Sequence, residues 1–324
     1  MKYIVGVFLF IIVLFIYVHV CYHLKTSNDL EVYEVDNVSK ERLEDICNHR
    51  QPILLDSNIV EIINNCNLQE VKKNYGAFDV NIRNVKETDD KTDLFIPFTL
   101  EGGFSLFQKD TAQKYCTENN GDFLKETGLI KTYQYNDGFF RPPMVSACVY
   151  DFLSGSKDTT TPLRYNLYNR NYFIITEGKA TVKLITPDST KYLYENKDYE
   201  NYEFRSPVNP WDVQPTYRAD FAKFKTLEIT LEPGKILYIP PYWWYSIRYD
   251  SVGSICSLQY NTYLSVISLL PTIAVHKLQL LNVKREHIKK ANLTDVEIRE
   301  ESKPEQQNSD SKEPVNDNPI ETSE

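Results

Sequence analysis

Histidine is the side chain that most often carries acid–base or metal chemistry near neutral pH, and this chain places its histidines away from its centre. They are His19, His23, His49, His276 and His287. None lies between residues 50 and 275, so neither a Ser/His/Asp set nor a Cys/His set can form within that stretch. A carboxylate-only site around Asp220 or Glu228 would hold a metal weakly and without selectivity. The central stretch therefore lacks the residues of a histidine-dependent hydrolase or of an imidazole-based metal enzyme.

The cysteines define no metal or redox site either. They are Cys21, Cys47, Cys66, Cys116, Cys148 and Cys256, without CxxC or zinc-like spacing. Cys21 lies in an apolar N-terminal stretch, and the other five are predicted to be buried free thiols. One disulfide stays open as an alternative if the domain faces an oxidising lumen.

Charge is concentrated at the C-terminus. The net charge is −9, and the segment 291–324 has ten acidic and three basic residues, which contribute −7. The rest is nearly balanced and has no basic stripe, which argues against nucleic-acid binding. Residues 303–324 have almost no large aliphatic side chains, so a disordered tail is predicted.

The N-terminus is apolar instead. Residues 3–22, YIVGVFLFIIVLFIYVHVCY, carry no formal charge and are long enough to cross a hydrocarbon core of about 30 Å. The stretch is longer than the apolar region of a signal peptide, and no small-residue cleavage site follows. A retained single-pass anchor is predicted. Lys2 precedes it and acidic residues follow soon after, which favours an outside or lumenal location for the C-terminal domain.

Local signals place the elements that follow. Ser39 and Asn67 are positioned as N-caps of two short helices, each followed by a strand, at 53–55 and 79–85. From about residue 93 to 260 the chain consists mostly of short strand-like runs, without long helices between them, which indicates a sandwich or barrel. A helical apolar segment with a break near Pro271 comes last.

Several of these segments together resemble the cupin-like, JmjC-type family of Fe(II)- and 2-oxoglutarate-dependent oxygenases, in its protein-hydroxylase branch. They are RQPILLD, NLQEVKKNYGAFDV, TPLRYN, YFIITEGKATVKLITP and PGKILYIPPYWWYSI. The resemblance implies a mainly β (α+β) fold with flanking helices, a double-stranded β-helix (cupin/jelly-roll) preceded by a single N-terminal transmembrane helix. The predicted regions are an anchor (3–22), a linker (23–38), a cupin-like domain (39–283) and an acidic, mostly disordered tail (284–324).

The same resemblance identifies the positions of the metal triad. Active relatives hold Fe(II) with two histidines and a carboxylate, in H-x-D after the T-P of the entry strand and in a histidine after the W-W of the late strand. In this chain those positions are Arg164, Asn166 and Tyr245, none of which is a usual iron ligand. Arg164 has two interpretations: a metal-free anion pocket, or a structural network of ion pairs and hydrogen bonds.

The cosubstrate positions are only partly retained. The resemblance assigns 2-oxoglutarate binding to Thr161, Asn171 and a strand lysine whose position falls on Ala180; Lys179 would need a bulge to turn inward. Trp243, Trp244 and Ser246 flank Tyr245 and complete the candidate pocket residues. No cofactor is therefore expected.

Two classes of function remain open. The first is a membrane-anchored, catalytically inactive cupin-like module that binds a partner or has a structural role. Similar modules occur in large DNA viruses, so this class includes a role in a virion or viral membrane. The alternative is a divergent 2-oxoglutarate-dependent oxygenase with atypical ligands. The predicted partners are the membrane, an unidentified protein or anionic small molecule, and a second copy bound through residues 264–281.

Overall fold

A computed structural model describes residues 2–36, 38–56, 59–86 and 95–285, and all packing discussed below lies in the compact unit that ends at Gln279. The predicted acidic tail, 284–324, lies outside the described residues except for 284–285, which end the last helix. The helices described are α1 (Lys2–Leu24), α2 (Lys40–Cys47), α3 (Val60–Asn65), α4 (Leu68–Tyr75), α5 (Leu100–Lys109), α6 (Gly121–Glu126), α7 (Ile130–Asn136), α8 (Arg218–Phe221) and α9 (Tyr263–Arg285).

The strands alternate with these helices in the first half of the chain and dominate the second. They are β1 (Tyr33–Val35), β2 (Ile53–Asp56), β3 (Asp79–Asn84), β4 (Ile96–Thr99), β5 (Tyr115–Thr117), β6 (Val145–Gly155), β7 (Arg164–Tyr165), β8 (Arg170–Glu177), β9 (Ala180–Ile185), β10 (Asn196–Asp198), β11 (Glu203–Arg205), β12 (Leu227–Leu231), β13 (Lys235–Tyr238), β14 (Trp244–Tyr249) and β15 (Ser254–Thr262).

Two sheets form the domain. The larger has the order β1-β2-β13-β8-β15-β6-β5-β3-β4, and the smaller has the order β10-β11-β7-β14-β9-β12. Apart from the parallel β1–β2 pair, the paired strands are antiparallel. This arrangement is a double-stranded β-helix with flanking helices, so the predicted fold class is confirmed.

Alternation of side chains along the strands separates the cores on the two sides of each sheet. Phe173 and Ile175 of β8 pack with Val182 and Leu184 of β9 in a central cluster that Tyr245 and Ile247 of β14 also join. A second cluster joins the other face of the larger sheet to α2–α7. A third covers the outer face of the smaller sheet and includes Trp244 and Leu269.

The predicted helix starts of the N-terminal region are confirmed. The Ser39 hydroxyl accepts a hydrogen bond from the Arg42 N–H at 3.3 Å, and the Asn67 side chain accepts one from the Glu70 N–H at 2.9 Å. These interactions satisfy N–H groups that have no partner within the first helical turn. The strands predicted after the two helices are β2 and β3.

Three expectations from the sequence differ from the structure. Helices α5, α6 and α7 interrupt the region predicted to be mostly strands. The helical segment predicted to break near Pro271 is one continuous helix, α9, because a proline removes only one helical hydrogen bond and neighbouring turns hold the rest. The predicted linker 23–38 includes β1, which pairs with β2 and extends the larger sheet.

Two of the described helices are long and apolar enough to cross a membrane. They are the N-terminal helix α1, Lys2–Leu24, and the stretch Tyr263–Asn282 of α9. In α1 no side chain is buried against the rest of the protein, so its apolar surface is available to lipid. The second span was not predicted from the sequence.

Candidate functional site

The three positions that correspond to the metal triad lie together at the mouth of the barrel. Strand β14 runs antiparallel to β7, with Tyr245 directly opposite Arg164. The Asn166 side-chain amide donates a hydrogen bond to the Tyr245 hydroxyl at 2.9 Å, and the Arg164 guanidinium carbon lies 5.8 Å from the Tyr245 ring centroid. Register alone thus explains why these positions, distant in sequence, share one site.

Arg164 belongs to a buried group of four charges, hereafter the ion cluster, formed by Arg83, Glu118, Arg164 and Glu203. Arg164 pairs with Glu118, and its Nη1 lies 3.3 Å from Glu203 Oε1. Arg83 Nη1 lies 2.8 Å from Glu118 Oε1 and 2.7 Å from Glu203 Oε1. The four side chains are 4–13% exposed. Each carboxylate therefore contacts both guanidinium groups in a place with little water.

The electrostatics favour the charged forms of Glu118, Arg83 and Arg164. Burial alone would raise the pKa of Glu118, but Arg164 and Arg83 outweigh it and lower that pKa to about 2. Burial opposes the charge on Arg83, whereas Glu118 and Glu203 raise its pKa above the ordinary value. Of the two interpretations of Arg164, the structure contains the network of ion pairs and hydrogen bonds.

These residues do not fit the iron site that the fold would suggest. Fe(II) needs two imidazoles and a carboxylate around open positions, whereas the carboxylates here face guanidinium groups. Burial raises the pKa of Tyr245 above its ordinary value, so its hydroxyl stays protonated and is a poor ligand. Within the described residues, no three His, Cys, Asp or Glu side chains are grouped closely enough to hold a metal ion.

Of the candidate residues for 2-oxoglutarate binding, Thr161 and Asn171 form hydrogen bonds within the protein, and Lys179 lies outside the barrel. The Thr161 hydroxyl accepts the Ile247 N–H at 2.9 Å, which ties the entry strand to β14. Asn171 Oδ1 accepts a hydrogen bond from Gln259 Nε2 at 3.3 Å, and Asn171 Nδ2 has no partner among the described residues. Lys179 lies on the surface, 3.4 Å from Glu232. It follows Gly178, whose φ of +81° turns the chain between β8 and β9.

The aromatic candidates divide between the two faces of the smaller sheet. Trp243 is fully buried in the central cluster. Trp244 lies on the outer face against Tyr165, and its Nε1 donates to the Thr190 hydroxyl at 2.8 Å. Ser246, also on the outer face, accepts a hydrogen bond from Trp211 Nε1 at 2.8 Å. Trp244 and Ser246 therefore do not line the barrel interior.

Beside the ion cluster is a cavity of about 280 Å³. Polar groups on its wall include Asp151, Ser257 and Gln259, and aromatic side chains such as Tyr168 and Phe173 form much of the rest. Burial raises the pKa of Asp151 to about 6, against the hydrogen bonds that its carboxylate accepts from backbone N–H groups. The cavity can hold a small molecule or one side chain of a partner.

Sequence reasoning did not identify Arg83, Glu118, Glu203 or Asp151 as site residues. A signal existed for Asp151, the one charged residue of the largely apolar strand β6, because such residues rarely become buried unless they find partners. Arg83 lies among polar residues in β3, DVNIRN, and had no such signal. Glu118 and Glu203 lie in polar surroundings in the sequence and carry no comparable signal.

The order of the strands in the two sheets and the apolar barrel interior are those of a cupin-like domain. A family model described as "Cupin-like domain" matches residues 31–265, which is most of the chain. This protein belongs to the cupin-like domain family.

Curated relatives match a shorter region. Over 95 residues the chain is 28% identical to HSPB1-associated protein 1 of Homo sapiens, covering 29% of this chain and 20% of that protein. Over 97 residues it is 32% identical to JmjC domain-containing protein D of Dictyostelium discoideum, covering 29% and 21%. It is 28% identical over 97 residues to Jumonji C domain-containing protein 5 of Drosophila melanogaster, covering 30% and 24%. The matches thus span between a fifth and a quarter of those proteins, two of which are named for a JmjC domain.

Proposed function

We propose that this protein is a membrane-anchored cupin-like module that does not carry out Fe(II)/2-oxoglutarate oxidation and instead has a binding or structural role. The observation that carries the proposal is the ion cluster, in which Arg164 occupies a ligand position and is paired with Glu118 and Glu203. A divalent cation at the same place would meet two guanidinium charges and no free carboxylate. The absence of histidine between residues 50 and 275 points the same way.

The proposal includes the membrane. Helix α1 has the length and composition of a span, and the charges flanking it favour a location of the domain outside the cytoplasm or in a lumen. The resemblance to modules of large DNA viruses supports a viral membrane or virion as its site. Carbonate extraction of membranes from expressing cells tests the anchor, since an integral chain stays with the lipid pellet.

Iron binding is the test of the barrel. The full-length chain in detergent, reduced and anaerobic, is incubated with Fe(II), desalted and measured for iron and for succinate formed from 2-oxoglutarate. We expect no bound iron above the level of a heat-denatured sample. Stoichiometric iron with succinate formation would refute the proposal, and stoichiometric iron alone would contradict the account of the ion cluster.

A restored triad is the matched control. The variant Arg164→His, Asn166→Asp, Tyr245→His places the ligand types of active relatives at the three corresponding positions, in β7, just after β7 and in β14. We expect it to bind iron more tightly than the wild type if its fold is intact, because the register of these strands holds the positions together. If wild type and variant bind equally, the three side chains do not decide metal binding.

The predicted homodimer through residues 264–281 stays a proposal. On α9 the side chains of Leu270, Leu278 and Leu281 are more than half exposed, and either a second copy or lipid would cover them. Light scattering of the detergent-solubilised chain distinguishes the two. A dimer that a Leu278→Glu, Leu281→Glu variant converts to folded monomers supports pairing, and a wild-type monomer excludes it.

A further inference from the structure

Two arginines are buried where α1 joins the domain, and neither contacts an acidic residue. Arg50 is 3% exposed and Arg170 is 5% exposed. Among the described residues, no carboxylate lies within 4 Å of either guanidinium group. Buried arginines are ordinarily paired with anions, because removing the charge from water is costly. This pair, together with His23, is called the Arg50 site below.

The present contacts of Arg50 leave hydrogen-bonding capacity unused. Its Nη1 donates to Asn169 Oδ1 at 3.3 Å, its Nη2 lies 3.5 Å from His23 Nδ1, and its Nε has no partner in the part of the chain that the structure describes. A guanidinium group offers five N–H donors in a fork that suits the oxygens of a phosphate or carboxylate. Arg170 donates to Asn48 Oδ1 at 2.9 Å and to the Asn169 carbonyl at 3.3 Å, which are neutral acceptors.

The backbone around the site is held in an unfavourable conformation. Arg50 has a φ of 59° and Tyr242 a φ of 67°, in the left-handed region that side-chain-bearing residues seldom adopt. Both residues line one small cleft, together with His23, Asn169, Ser265 and Ser268. Such strain is often found at ligand sites, where the surrounding structure maintains it.

Helix α9 adds to the positive potential of the cleft. Ser265 lies in its first turn, so the partial positive charge of the helix N-terminus is close to Arg50. Burial lowers the pKa of Arg50, and the charge of Arg170 acts in the same direction. An anion in the cleft would relieve both effects.

The cleft is at the level where lipid headgroups would lie. Helix α1 has 23 residues and is therefore about 35 Å long, close to the thickness of a hydrocarbon core. Tyr22 and His23 are at its C-terminal end, and the Arg50 guanidinium carbon lies 5.5 Å from the Tyr22 ring centroid. The free space is about 10 Å³, enough for one oxygen-sized group, so the rest of a ligand would remain outside.

From these observations we infer that the Arg50 site binds a phosphate-type oxyanion, supplied by an anionic phospholipid headgroup at the end of α1. The lipid as the source rests on the proposed membrane anchor. The oxyanion itself does not, because free inorganic phosphate offers the same chemistry. The site is separate from the ion cluster, so its test is independent of iron binding.

The test is the thermal unfolding of the full-length chain in nanodiscs of phosphatidylcholine, with and without phosphatidylglycerol. In a further arm, inorganic phosphate replaces chloride at constant ionic strength in the neutral discs. We expect phosphatidylglycerol to raise the unfolding midpoint of the wild type by several degrees, as a ligand of the native state does. A shift with the lipid alone identifies the headgroup, and a shift with inorganic phosphate as well shows that the soluble anion also binds. A wild type that responds to neither overturns the inference.

Substitutions separate the site from general attraction to a charged surface. Arg50→Gln should lose most of the shift, and Arg50→Lys should keep part of it, because lysine retains the charge without the fork. Lys25→Gln removes the same charge from an exposed position near the end of α1 and should respond like the wild type. If Arg50→Gln responds fully, or if Lys25→Gln loses as much as Arg50→Gln, the site is refuted. The wild-type comparison alone stays decisive if the Arg50 variants do not fold.

Discussion

The protein buries arginines in two places and treats their charges differently. In the ion cluster, Arg83 and Arg164 are each within 3.3 Å of carboxylate oxygens from Glu118 or Glu203. At the Arg50 site, the guanidinium groups contact amide and carbonyl oxygens, a histidine and tyrosine rings. Both guanidinium groups of the first place face carboxylates, and Glu203 also has Arg205 at 3.8 Å, whereas the second place has an excess of positive charge within the described residues.

This difference suggests how each place is used. A cluster whose carboxylates already face guanidinium groups is expected to bind a metal or an anionic cosubstrate weakly, which supports the proposed structural role. A buried positive charge without a counter-ion lowers stability until an anion is bound. The two places should therefore respond in opposite directions when a charge is removed.

The largest effect is expected at the ion cluster. Glu118→Gln leaves Arg83 and Arg164 with one carboxylate between them, and breaking a buried pair in this way costs about 3–5 kcal/mol of unfolding free energy. Denaturant unfolding of the full-length chain in detergent, followed by tryptophan fluorescence, measures it. Glu232→Gln is the control, because it breaks the exposed Lys179–Glu232 pair and should cost about 1 kcal/mol or less. Equal costs for the two variants would show that the ion cluster is not stabilising.

Acid should act on the same cluster with a somewhat smaller effect. The pKa of Glu118 is lowered to about 2 from an ordinary value of 4.5. The contribution of Glu118 to the unfolding free energy is fully present above about pH 4.5 and is lost as the pH falls towards 2, a change of about 2–3 kcal/mol.

Asp151 should affect stability in the opposite direction. Its pKa is raised to about 6, so its ionisation lowers the unfolding free energy as the pH rises from about 4 to 6.

Measuring the unfolding free energy of variants between pH 4.5 and 2 therefore distinguishes the ion cluster from the Arg50 site. The wild type and Arg50→Gln should both lose stability between pH 4.5 and 2, because no described carboxylate pairs with Arg50 and could be protonated there. Glu118→Gln should lack most of that loss. If Arg50→Gln removed the acid-dependent loss instead, an acidic partner of Arg50 would have to exist.

The sequence allowed much of this fold to be predicted, for local reasons. Ser39 and Asn67 marked helix starts because capping depends on residues three positions apart. Helix α5 was missed because Gly102 and Gly103 lie within it, and glycine normally disfavours a helix. Tyr245 and Arg164 were assigned to one site by resemblance, and the register of β7 and β14 brings them together.

The ion cluster and the Arg50 site were beyond such reasoning. The four residues of the ion cluster come from β3, from the segment that follows β5, from β7 and from β11. Their pairing is set by the folded sheets and cannot be predicted from their positions in the sequence. Arg50 follows α2 in a polar stretch, which predicts a surface position. In the structure, α1, α9 and the turn at Tyr242 enclose its side chain. Lys179, which would have needed a bulge to turn inward, lies on the surface after the turn at Gly178.

The smallest expected effect, and the most specific for the comparison, is that of Arg50→Gln, whose sign should be opposite to that of Arg164→Gln. In neutral detergent with chloride as the main anion, Arg164→Gln should lower the unfolding free energy, because Glu118 would be left with Arg83 alone and Glu203 with Arg83 and the more distant Arg205. Arg50→Gln should leave it unchanged or raise it by about 1 kcal/mol, since it removes a buried charge that has no counter-ion. Both variants replace a buried arginine with the same neutral side chain, so the loss of packing is similar. A decrease at Arg50 as large as that at Arg164 would mean that its neutral partners already satisfy the charge, and the need for an external anion would disappear.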